Sequence, residues 1–177
     1  MSTHIFLYGL EIALKPVVFL DRDGVINEDR DDYVKSVDEL VVFPYAPDSI
    51  ARLNNAGYTV VVVSNQQCVA KGMMTYEQLE NVQREIDRKV KESGGIITSF
   101  RYCTHLKSEQ CSCRKPKAGM LSQAVEEHKL NPEKGFIVGD NEKDIIAGKS
   151  VGCKSVLVLS GMATRDSVSS MKDHPIL

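Results

Sequence analysis

The chain has 177 residues, 42% of them hydrophobic, and a formal net charge of −2. That size suits one domain with a sizeable core and excludes a disordered polymer. No long basic run is present, which argues against a nucleic-acid partner, and no apolar stretch is long enough to span a membrane.

The first segment, Met1 to Leu14, is mildly apolar but is interrupted by Glu11. It has neither a basic n-region nor a small-residue cleavage site, so a cytoplasmic location is expected. Val17 to Leu20 form a short apolar run that stops at Asp21, with Gly24 close behind. This pattern predicts a buried strand ending in a turn. Pro47 to Ala56 reads as a helix stopped by Gly57, and the β-branched run Thr59 to Val63 as a second buried strand ending at Ser64-Asn65-Gln66. Thr75 predicts the cap of a longer helix reaching Glu92. Ile96 to Tyr102 is a third strand, Gly119 to His128 a helix, and Gly135 to Val138 a fourth strand ending at Gly139-Asp140. A helix over Lys143 to Ser150 and a fifth strand over Ser155 to Leu159 complete the order.

Buried strands alternating with helices predict an α/β fold: a Rossmann-like parallel sheet covered by helices on both faces. We expect an N-terminal extension over residues 1–16, a main domain over 17–161 and a C-terminal tail over 162–177. A monomer is expected.

Asp21, Ser64 and Asp140 each fall just past the carboxyl end of a predicted strand. In open α/β sheets that edge is where ligands bind, so these distant residues converge on one crevice. The chemistry available there is phosphoryl transfer. Asp21 is a candidate nucleophile, forming an aspartyl-phosphate, and Asp23 a candidate acid/base. A carboxylate attacking a phosphate needs a divalent cation between the two anions. Mg²⁺, an oxygen seeker, suits Asp21 with Asp140 as a further donor. Ser64 would donate its hydroxyl to a phosphate oxygen, and Lys115, with Arg114 beside it, would supply positive charge. Asp144 reads as an ordinary first-turn helix acid.

Five cysteines are present, and three lie between positions 103 and 113. Cys103, His105, Cys111 and Cys113 make a C-x-H-x5-C-x-C cluster suited to tetrahedral Zn²⁺ in a reducing compartment. All four positions are filled by protein, so the ion would be structural. Arg114 follows the last ligand directly, so a folded zinc loop would fix the approach of Arg114 and Lys115. Cys153 reads as packing. Cys68, in the loop after Gln66, reads the same way, with a substrate-facing position as the alternative.

Four motifs in this order resemble those of the haloacid dehalogenase superfamily. They are Phe19-Leu20-Asp21-Arg22-Asp23-Gly24-Val25-Ile26-Asn27, Val63-Ser64-Asn65-Gln66, Cys113-Arg114-Lys115-Pro116 and Val138-Gly139-Asp140. The likeness covers roughly Val17 to Gly161 and is narrowest to the zinc-containing members, the heptose bisphosphate phosphatases and the histidinol-phosphate phosphatase domains. It implies a small phosphorylated substrate, Mg²⁺ and Zn²⁺ as cofactors, and an open site with no large cap domain. It also implies that Asp23 gives its backbone carbonyl to Mg²⁺ and that Asn65, Gln66, Arg114 and Asn141 contact substrate.

Tyr33-Val34, Phe43-Pro44, Val69-Ala70-Lys71-Gly72 and Gly119-Met120 are similar to the heptose enzymes, which points to hydrolysis of a sugar bisphosphate at its 7-phosphate. The five-residue gap between His105 and Cys111 is similar to the histidinol-phosphate domain, which keeps that ester as the alternative. Asn141 stands where the heptose enzymes usually carry lysine. Gln67, Cys68 and a slightly longer 27–33 stretch also depart from their pattern. A zinc-stabilised binding module without catalysis is a third alternative, against which Asp21, Asp23, Lys115 and Asp140 are all intact.

Overall fold

The computed structural model describes residues 4–7 and 10–164, with side chains from residue 14 onward. Two strands, β1 (His4–Leu7) and β2 (Leu10–Ala13), form a small antiparallel hairpin of their own. Five more form the main sheet: β3 (Lys15–Leu20), β4 (Thr59–Asn65), β5 (Ser99–Cys103), β6 (Leu130–Gly139) and β7 (Lys154–Leu157). Their order is β5-β4-β3-β6-β7, and every pairing is parallel. Among the described residues no helix is long and apolar enough to cross a membrane.

Two-residue periodicity divides the sheet's side chains between two cores. Val18, Leu20, Val60 and Val62 point to one face. There they meet Ile50 of α1 (Ala46–Asn55) and Leu79, Val82, Ile86 and Val90 of α2 (Tyr76–Glu92). The α2 residues recur every three or four positions, which lines one stripe of the helix. Val17, Phe19, Val61 and Val63 point to the other face. They meet Met120, Leu121 and Ala124 of α3 (Gly119–His128) and Ala147 of α4 (Glu142–Ser150). Each buried Val, Leu, Ile, Phe or Met side chain among them contributes about 1.5–3 kcal/mol, so both layers are held by ordinary hydrophobic burial.

The helices fall close to where the residue pattern puts them, and α3 matches end to end. Thr75 caps α2 as expected: its side chain accepts from the Gln78 N–H while Gln78 returns a bond to the Thr75 N–H. The strands differ more. β6 starts five residues before its expected beginning, because Leu130 and Asn131 pair with Lys15 and Pro16 ahead of a register shift. Gly135 sits at that irregularity, where a Cβ would come within 2.2 Å of the Val17 carbonyl. The polar Asn131-Pro132-Glu133-Lys134 stretch hides this strand from a hydrophobic reading. β5 starts at Ser99 rather than Ile96, and β7 spans Lys154–Leu157 rather than Ser155–Leu159.

The chain runs outward from β3 through β4 to β5, then crosses back to β6 and β7. The direction of winding therefore reverses beside β3, and the crevice lies at the carboxyl ends of β3, β4 and β6.

Candidate active site

Asp21 is the first residue past β3, and its N–H donates to Val138 O of β6 at 3.0 Å. Its carboxylate accepts from the Arg22 N–H at 2.7 Å and lies 2.9 Å from Lys115 Nζ. Burial opposes ionisation of Asp21, but the Lys115 ammonium outweighs it, helped by Lys143 and the Arg22 N–H. Together they hold the carboxyl below the usual carboxylate range. Asp21 is therefore an anion with its charge in place.

Lys115 is completely buried in its side chain. Its ammonium lies 2.7 Å from Asp144 Oδ1 and donates to Val63 O at 2.7 Å. Burial alone would discharge it, yet Asp144 and Asp21 overcome that penalty and raise its pKa. Asn65, at the end of β4, grips the same residue by its backbone. Asn65 Nδ2 donates to Lys115 O and Lys115 N donates to Asn65 Oδ1, both at 3.0 Å.

Asp140 follows Gly139 at the end of β6 and accepts from the Met162 N–H at 2.7 Å. Burial first, then the nearby Asp21 charge, raises its pKa against the Met162 bond. Gly24 and Gly161 flank its carboxylate. A Cβ at Gly24, whose φ is +78°, would lie 2.6 Å from Asp140 Oδ2. Only glycine fits this left-handed turn at so close an approach.

Asp21, Asp140 and Asp144 each bring a carboxylate oxygen within 4.8 Å of the others. Three buried carboxylates face the buried Lys115 ammonium and the Lys143 charge at the cleft, and the donors are all oxygen. That set fits Mg²⁺ in charge and in ligand type.

These residues meet at a cleft of about 290 Å³. Asp21, Asp23, Ser64, Asn65, Arg114 and Asp140 all line it, whereas Lys115 lies buried behind the lining and meets the cleft only through its pair with Asp21. The Asp23 carboxylate is one-fifth exposed. It accepts from Arg22 Nη2 at 2.8 Å, Asn27 Nδ2 at 2.9 Å and Gln66 Nε2 at 2.7 Å.

Gln66 and Asn141, expected at the substrate, do not line the cleft. Gln66 is 1% exposed, with its amide turned to Asp23 and Ser64. Asn141 is the N-cap of α4, and its side-chain oxygen accepts from the Lys143 N–H at 3.2 Å. Lys143 lines the cleft instead. Its position in the first turn opposes the helix dipole, which is the one hint in the residue pattern of a special role.

Asp144 differs most from expectation. It does close the α4 capping box, accepting from the Asn141 N–H at 3.2 Å, but it also holds Lys115. Burial raises its pKa despite the Lys115 charge. Its signal in the residue order is the four-residue step from Asp140 onto the next helix. Asp29, Arg30, Asp31 and Tyr33 of one loop and Gln67 of another also line the cleft. The Tyr33 hydroxyl bridges these loops, accepting from Gln67 Nε2 at 2.8 Å and Lys71 Nζ at 2.7 Å. Met162, within the expected tail, also lines the cleft.

Beside the cleft, Cys103, His105, Cys111 and Cys113 form a second cluster. Cys103 Sγ is 3.6 Å from Cys111 Sγ and 3.7 Å from His105 Nδ1. Cys113 Sγ is 3.3 Å from both. A tetrahedron of thiolates about 2.3 Å from zinc has edges of about 3.8 Å, so this spacing fits Zn²⁺ and is far too long for a disulfide. Cys68 and Cys153 are buried well inside the protein, and Cys68 Sγ rests 3.3 Å from Met74 Sδ.

A parallel sheet with this strand order, carrying an aspartate past β3, a lysine brought to it and a carboxylate pair past β6, defines a haloacid dehalogenase-like hydrolase acting on phosphoric monoesters. The HAD-hydrolase-like family model matches residues 112–176. The D-glycero-beta-D-manno-heptose-1,7-bisphosphate 7-phosphatase of Neisseria meningitidis serogroup A is 40% identical over 145 residues, covering 82% of this chain and 78% of that protein. The protein of the same name from Pseudomonas aeruginosa is 40% identical over 151 residues, or 85% of each chain. A crystal structure of D,D-heptose 1,7-bisphosphate phosphatase from B. bronchiseptica, complexed with magnesium and phosphate, superposes with a TM-score of 0.84. It is 31% identical and covers 92% of each chain. The chain belongs to this family of heptose bisphosphate phosphatases.

Proposed function

We propose that this protein is a Mg²⁺-dependent phosphatase that removes the 7-phosphate of D-glycero-D-manno-heptose 1,7-bisphosphate. Identity of 40% to relatives bearing that activity in their name carries the choice of substrate. The charged cluster at the sheet edge supports the chemistry.

Asp21, ionised and buried, attacks phosphorus through a carboxylate oxygen. The bond from phosphorus to the sugar oxygen breaks, and that oxygen takes a proton from Asp23. Asp23, now a carboxylate, then accepts a proton from the water that attacks the aspartyl-phosphate, releasing inorganic phosphate and free Asp21. Ser64 and Lys115 donate to the phosphoryl oxygens, and Arg114 binds substrate at the cleft wall. Mg²⁺ would be held by the carboxylates of Asp21 and Asp140 and the backbone carbonyl of Asp23. When bound, it screens the repulsion between carboxylate and phosphate and polarises the phosphoryl group. Zn²⁺ would be held by Cys103, His105, Cys111 and Cys113, keeping the strand end and the Arg114–Lys115 segment in register.

The test is phosphate release from heptose 1,7-bisphosphate, with histidinol phosphate and unrelated sugar monophosphates as competitors. A kcat/KM for the bisphosphate at least tenfold above every other ester is expected. Preference for histidinol phosphate would overturn the substrate. Asp21→Asn keeps the shape and removes the nucleophile, so phosphate release should disappear; undiminished turnover would overturn the mechanism.

A further inference from the structure

Gln66 sits at the end of β4 with every polar group spent. Its N–H donates to Cys103 O at 2.7 Å, and its Oε1 lies 3.6 Å from Cys68 Sγ. Its two amide hydrogens go to Asp23 Oδ2 at 2.7 Å and Ser64 Oγ at 2.9 Å. Nothing remains to reach a substrate. Arg22 is wholly buried and grips the same carboxylate with Nε at 3.0 Å and Nη2 at 2.8 Å from Oδ1, and with Nη2 at 3.0 Å from Oδ2. Its remaining Nη1 has no hydrogen-bond partner among the described residues, so the guanidinium is committed to Asp23 at a desolvation cost.

We infer that Gln66 and Arg22 are positioning residues for Asp23. The Gln66 amide ties that carboxylate to the Ser64 hydroxyl, so that the proton donor and the phosphate anchor move as one body. The inference rests on the acid/base role given to Asp23 above. A carboxylate on a turn residue would otherwise rotate freely about its χ angles, and a proton donor misplaced by an ångström loses most of its effect. Gln66 also carries the register of the cysteine cluster to the acid/base through its bond to the Cys103 carbonyl.

General acid catalysis matters for an alkoxide leaving group and little for p-nitrophenolate, which leaves without a proton. This contrast separates positioning from structural support. The kcat/KM of Gln66→Met, whose side chain is similar in size but lacks donors, should fall about 10- to 100-fold for the heptose ester. The loss with p-nitrophenyl phosphate should be at least tenfold smaller. Arg22→Lys keeps the charge, loses the fork, and should show the same selective loss, which keeps the test open if Gln66→Met fails to fold. Circular dichroism and a thermal melt establish that each variant is folded. Asp23→Asn should give the same selectivity at greater depth. Equal losses on both esters in Asp23→Asn would overturn the acid/base role itself. Selective loss in Asp23→Asn, but equal or no loss in the folded Gln66 and Arg22 variants, would overturn the positioning role alone.

Discussion

Asp144 shows how much a single residue can hide. It ends a capping box, which is an everyday role for a first-turn acid, and it is also a buried partner of the Lys115 ammonium. The two roles use different oxygens: Oδ2 accepts from the Asn141 N–H and Oδ1 lies 2.7 Å from Lys115 Nζ. Asp144→Asn retains an acceptor for the cap but turns its amide toward the buried Lys115 ammonium and removes a charge that offsets its burial, so stability should fall by about 3 kcal/mol. Lys115 loses one of two anionic partners and gains freedom to shift toward Asp21. A fall in kcat of about 10- to 100-fold is expected from that loss of register. Steady-state kinetics beside a urea titration would check it, and unchanged kcat would show that Asp21 and Val63 hold Lys115 unaided. The four-residue step from Asp140 is the one local hint at Asp144, and it does not name the second partner, which lies 29 positions away in the chain.

Elements were the most legible scale. The helix starts carry chemistry that needs only near neighbours, as with the reciprocal bonds of Thr75 and Gln78 at the head of α2. Thr75→Ala should lower stability by about 1 kcal/mol, seen as a lower melting temperature, with kcat unaltered because α2 covers one face of the sheet and lines no part of the cleft. A changed kcat with unchanged melting temperature would contradict this division of labour. Strands with apolar cores were legible for the same reason. The start of β6 was not, since its pairing with Lys15 and Pro16 comes from chain brought alongside by folding. The hairpin of β1 and β2 was missed too, because two four-residue strands at the chain start carry little periodic signal.

Across the whole molecule, the cysteine–histidine cluster and the cleft share a boundary. Cys103 ends β5, its carbonyl receives the Gln66 N–H, and Cys113 leads directly into Arg114 and Lys115. Removing Zn²⁺ with a chelator, then restoring Mg²⁺ alone, should lower both the melting temperature and kcat, and adding Zn²⁺ back should restore them. Full activity after verified loss of zinc would show that the cysteine loop is independent of catalysis. Such a coupling would be mechanical: an ion bound by the four side chains would supply folding energy to a loop that otherwise rests on the main core only through its cysteines.

The order of residues alone determined the alternation of buried strands and helices, the four motifs and the C-x-H-x5-C-x-C spacing, because each depends on contacts or periodicities short in the chain. Tertiary structure decided which side chains face the cleft. It turned Gln66 inward to Asp23 and Ser64, made Asn141 a cap with Lys143 at the cleft, and joined Asp144 to Lys115. The reason is charge and burial. A lysine and three carboxylates can share a dry sheet edge only when strands distant in the chain are already side by side, and that neighbourhood exists only in the folded protein.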